Sequence, residues 1–67
     1  MKCYVLTKVY DNRVEIKRVT KEYLLHVGLE LGCTTGDKHD TYVDAFDSEK
    51  DFNKYWYDCI RDGAKII

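Results

Sequence analysis

Proline is absent from this chain, and glycine occurs only four times. Together with 45% hydrophobic and 34% charged residues, this excludes collagen-like, low-complexity and disordered sequence. No apolar run approaches the roughly 18 residues that a transmembrane helix needs. The opening segment from Met1 to Lys8 lacks the long apolar stretch of a signal peptide, and Lys8 interrupts what there is. These absences predict a cytoplasmic protein with no membrane attachment. Net charge is nearly absent too: 11 Lys and Arg against 12 Asp and Glu leave −1. That balance excludes strong whole-molecule attraction to nucleic acid. Cysteine is scarce and unpaired in spacing. Cys3, Cys33 and Cys59 are an odd set, so free thiols are expected rather than a disulfide framework.

What is present is one short, aromatic-rich domain. With 67 residues, the chain buries only about 60% of the surface its unfolded form exposes, so the core is thin. Residues 3–19 read as a β-hairpin, with strands over 3–10 and 13–19 and a turn at Asp11-Asn12. In that register paired residue numbers sum to a constant, so Val9 opposes Val14 and Thr7 opposes Ile16. With Val5 they form one apolar face. The other face pairs Lys8 with Glu15, an opposite-charge pair of the kind that stabilises a ladder.

Residues 22–33 allow two readings. With period two, Tyr23, Leu25, Val27, Leu29, Leu31 and Cys33 line one face of a strand. As a helix over 21–31, Thr20 would cap the start and Gly32 the end. Gly28 inside a helix costs about 1 kcal/mol relative to alanine, so the strand is preferred. A polar turn over 34–40 and a strand over 41–46 would complete a second hairpin. Residues 48–62 form the clearest element. Ser48 followed by Asp51 approximates a capping box, and Phe52, Tyr55, Trp56, Cys59 and Ile60 make one helical stripe. Gly63 is placed to terminate it. The predicted class is α+β: an antiparallel ββββα sheet, or ββαβα if 21–31 is helical, with a C-terminal amphipathic helix on one face.

Catalytic and ligand-binding signals are weak. No tight Cys or His pair has structural-zinc spacing, so no metal is expected. Cys59 lies on the helix stripe and Cys3 in a strand, where both serve as small core residues. Cys33 and His39 flank one loop, but no acidic residue is placed to orient the histidine. Gly32-Cys33-Thr34-Thr35-Gly36 lacks the Lys-Ser/Thr of a phosphate-binding loop. The expectation is no catalytic residue and no cofactor.

Charge is distributed unevenly. Residues 37–62 hold eight carboxylates against four cations, while the first 36 hold six cations against four carboxylates. An acidic helix face with its neighbouring loop is therefore the candidate protein-binding surface: Asp37, Asp40, Asp51, Tyr57 and Asp58. Charge would steer association, and Tyr57 would anchor it. The alternative is a single-stranded nucleic-acid platform on the hairpin, using Tyr4, Lys8, Tyr10, Arg13 and Lys17 for stacking and phosphate contact. One helix covers only one sheet face, so apolar residues on the other face would favour a homodimer.

The layout also carries a resemblance. A hairpin opening Met1-Lys2-Cys3-Tyr4-Val5, then Phe46-Asp47-Ser48-Glu49 feeding an aromatic helix through Tyr55-Trp56, is similar to small uncharacterised proteins encoded by bacterial phages and prophages. That resemblance implies binding and modulation of a host protein rather than catalysis.

Overall fold

The computed structural model describes residues 2–67. In chain order the elements are β1 (Cys3–Val9), β2 (Val14–Val19), α1 (Lys21–Val27), β3 (Gly32–Thr34), β4 (Asp40–Phe46), α2 (Glu49–Arg61) and β5 (Lys65–Ile66). The class is α+β. The strands form one sheet in the order β3-β4-β1-β2-β5, antiparallel except for the parallel β2–β5 pair.

The N-terminal hairpin has the register read from the sequence, from Tyr4 opposite Val19 to Val9 opposite Val14. The Tyr10 amide donates to the Arg13 carbonyl at 2.8 Å across the turn. Neither Asp11 nor Asn12 adopts positive φ, so the register does not rest on a left-handed turn. Lys8 stands opposite Glu15, but Glu15 takes its ion pair from Arg13 at 3.1 Å.

β1 lies at the centre and is covered from both sides. Cys3, Val5 and Ile16 pack with Phe52 of α2 on one face. Leu6, Val19 and Val43 pack with Leu24 of α1 on the other. The layers are therefore helix, sheet, helix, with the hairpin's second face closed by α1 rather than left bare.

The preferred strand over 22–33 is corrected to a two-turn helix followed by a short strand. Thr20 is the N-cap, and its hydroxyl accepts from the Tyr23 amide at 3.1 Å. Gly28, with φ of 76°, ends the helix, and the Leu29 amide donates to the Leu24 carbonyl at 2.9 Å. A helix-interior glycine is costly, but a glycine just past the end is favoured because it enters the left-handed region without strain. The stop falls at Gly28, not Gly32. Of the second hairpin, only Gly32–Thr34 pairs with β4, opposite Thr41–Val43. Gly36 serves the loop between them by being small. A Cβ there would sit 2.6 Å from the His39 carbonyl oxygen.

α2 matches its sequence signals. The Ser48 hydroxyl accepts from the Asp51 amide at 3.2 Å. Gly63, at φ of 103°, follows the helix, and the Ala64 amide donates to the Cys59 carbonyl at 2.9 Å. The chain end folds back through its backbone: Lys65–Ile66 pair with β2, and the Ile66 and Ile67 side chains stay exposed.

The two readings of 22–33 predict opposite mutational orders. Leu24 is 5% exposed and Leu25 71%. Leu24→Ala should cost about 2–5 kcal/mol, and Leu25→Ala under about 0.5 kcal/mol in dilute protein. Urea denaturation measures both; the reverse order would mark a strand with Leu25 on its buried face.

Candidate functional site

α2 crosses the sheet starting beside the end of β4. Its N-terminus is tied down by Arg18. That guanidinium donates to Glu49 at 2.6 Å and to the Cys3 sulfur at 3.4 Å, and lies 4.4 Å above the Phe52 ring centre. The bond to Arg18 lowers the Glu49 carboxyl below its usual range, and the bond to Glu49 raises the guanidinium. Phe46 of β4 packs on Tyr55 at 5.2 Å and meets Phe52 edge-on at 6.4 Å, while Phe52 stacks on Trp56 at 5.4 Å. This aromatic row sets the distance between α2 and β4 and leaves a groove along their seam.

The groove has a volume of about 450 Å³. Phe46 and Tyr55 supply its apolar surface, and Asp47, Asp51 and Asp58 supply its carboxylates. Lys54 is the one cation among the lining residues. Asp58 shares a contact with Arg61 at 3.2 Å, and Asp47 approaches Lys2 at 3.9 Å. Both pairs are exposed, so they are weak and exchangeable. Tyr55 is positioned by a 3.3 Å hydrogen bond between its phenol and the hydroxyl of buried Thr7. Burial raises the Tyr55 phenol above its usual value.

Of the predicted protein-binding residues, Asp51 and Asp58 line this groove together. Tyr57 is 66% exposed and lies outside the groove lining, on the outer side of α2. Asp37 and Asp40 lie at the opposite end of β4, around a small cleft with Val9 and His39. At about 3.4 Å per residue, the length of β4 puts them roughly 20 Å from its Phe46 end. The face therefore divides in two. Sequence reasoning missed Phe46, Asp47, Lys54 and Tyr55. The signal was Tyr55 at the edge of the helix stripe, where an aromatic ring can serve core and groove together.

The hairpin residues divide as well. Tyr4 packs under α1 with the Leu6 and Val19 cluster. Lys17 lies 4.8 Å from the Tyr23 ring centre. Tyr10 carries the Arg13 guanidinium at 3.8 Å and meets His39 at 4.8 Å. Lys8 remains half-buried beside them.

The thiols also have separate surroundings. Cys3 is buried, Cys59 is half-buried against the core, and Cys33 is exposed. Contact with Cys33 raises the Tyr42 phenol, while His39 packs elsewhere, tilted against Tyr10. Among the described residues there is no group of three or more His, Cys, Asp or Glu side chains that could hold a metal ion. Nor is any helix among them long and apolar enough to cross a membrane.

Tyr55 gives a pH test of this geometry. Its phenol is raised in the folded state, so its contribution is whole below the unfolded value near 10.0 and is lost as pH climbs through the folded one. Ultraviolet difference titration should show two tyrosines ionising late, Tyr42 and Tyr55, and Tyr55→Phe should remove one of the two and leave the other. No family model, curated protein or solved structure matches the chain, so its own geometry carries the functional reading.

Proposed function

We propose that this chain is a non-enzymatic protein-binding module whose α2–β4 groove takes a basic segment of a partner. The observation that carries the reading is the pairing of an aromatic surface, Phe46 and Tyr55, with three carboxylates in one groove. A lysine or arginine side chain has this character in reverse. Its methylene stem covers apolar surface while its charged head reaches a carboxylate. The three carboxylates gathered at this end, Asp47, Asp51 and Asp58, would steer such a partner toward the groove. The modulator role implied by the phage-type layout fits this reading, since occupying a basic surface is enough to block it.

The Lys8, Tyr10, Arg13 and Lys17 side of the hairpin is a weaker support for nucleic-acid binding. Stacking needs free aromatic faces. Tyr10 already carries Arg13 on its ring, and Tyr4 packs under α1.

A labelled hexapeptide of alternating arginine and leucine tests the groove by amide chemical-shift mapping. Shifts should centre on residues 45–47, 51, 54, 55 and 58, and should weaken with added salt. Asp51→Lys with Asp58→Lys should reduce affinity by roughly tenfold or more. Tyr57→Ala should change it little. Shifts confined to the hairpin on adding a single-stranded oligonucleotide, with none at the groove for the peptide, would replace this reading with the other.

A further inference from the structure

The most exposed aliphatic side chains of the molecule include a set gathered around α1. Besides Leu25, Leu31 is 60% exposed and Val27 44%. Beside the helix runs a cleft of about 530 Å³, walled by Tyr4, Leu25, Leu29 and Leu31, with Lys2, Lys21 and Glu30 on its rim; Lys2 lies 3.9 Å from Asp47 of its own chain. A single exposed leucine needs no explanation. Leu25 and Leu31, which share this cleft with half-buried Leu29, mark a contact surface.

We infer that this surface pairs with a second copy of the same chain. The rim charges select that occupant. Lys21 opens α1, and Glu30 follows Gly28, which closes it. The seven-residue helix rises about 10 Å from Lys21 to its end, and Glu30 follows the Gly28 turn there, so the cation begins and the acid ends the segment that walls the cleft. A two-fold axis perpendicular to α1 near Leu25 brings Lys21 of each copy to Glu30 of the other. The same rotation sets the two α1 helices antiparallel, which opposes their dipoles favourably. One patch thus supplies both halves of the contact, as an isologous interface requires. Pairing also gives a thin core a second apolar layer outside α1. It leaves α2 and its groove open, because they lie on the other face of the sheet. The inference is independent of what the groove binds.

Sedimentation velocity over a concentration series tests it on the intact chain. The expected result is a species of twice 7.9 kDa that dissociates on dilution. Leu25→Glu, at an exposed site, should keep the far-ultraviolet circular dichroism and weaken dimerisation by roughly a hundredfold or more. Lys21→Glu should weaken it by roughly tenfold. That loss would not reflect unfolding, because an acidic residue in the first turn favours the helix. Adding Glu30→Lys to Lys21→Glu should restore the dimer. A 7.9 kDa species at every concentration overturns the inference. So does a dimer that Leu25→Glu leaves intact, or a charge swap that restores nothing.

Discussion

The structure depends on β1 being apolar on both faces. Val5, Leu6 and Thr7 are consecutive and all buried, so successive side chains point into opposite layers and both layers must be closed. A chain of this length has little helix with which to do it. α2 supplies thirteen residues on one side and α1 seven on the other. The longer helix closes its face through Phe52 and the aromatic row. The shorter one buries a single leucine, Leu24, so its outer side keeps Leu25 and Val27 in water. The apolar surface expected on the bare sheet has thereby moved outward onto α1.

The same constraint explains where the groove forms. α2 is anchored at its start by Arg18 and Phe52, and the bulk of Phe46 and Tyr55 holds it away from the end of β4. The seam that remains is lined on one side by the acidic flank of the helix. Asp51 sits in the first turn, where the helix dipole favours a negative charge. One carboxylate therefore aids the helix and is offered to a ligand together. Its neighbour Asp58 is shared with Arg61, which a competing cation would have to displace.

Ion pairing elsewhere lies at the surface, within the hairpin at Arg13–Glu15 and between β2 and α2 at Arg18–Glu49. Glu15 and Glu49 are both lowered by their arginine partners, Arg13 and Arg18. Such carboxylates support folding above the usual value near 4.5, and that support is lost as pH falls through their lowered values. Glu49 is exposed and Glu15 half-buried at the sheet surface, so they orient the start of α2 and the hairpin more than they stabilise the core.

Much of the fold is legible residue by residue. The hairpin register follows from Val5, Thr7, Val9, Val14 and Ile16 sharing a face, and α2 follows from Ser48, its apolar stripe and Gly63. These signals are local, since period, cap and stop all lie within one element. Residues 20–34 carry local signals that conflict: a run of alternating apolar residues overlaps a cap at Thr20 and a stop at Gly28. Only the sheet's need for a cover over Leu6, Val19 and Val43 resolves them in favour of helix. The acidic bias of the second half is likewise plain in the chain, and Asp51 and Asp58 were found from it. That Asp37 and Asp40 belong to another end of the molecule, and that Phe46 joins the groove, depend on the pairing of β4 with β1. Local periodicity determines which residues make each element. Only long-range packing decides which elements meet, because that choice is made by surfaces far apart in sequence.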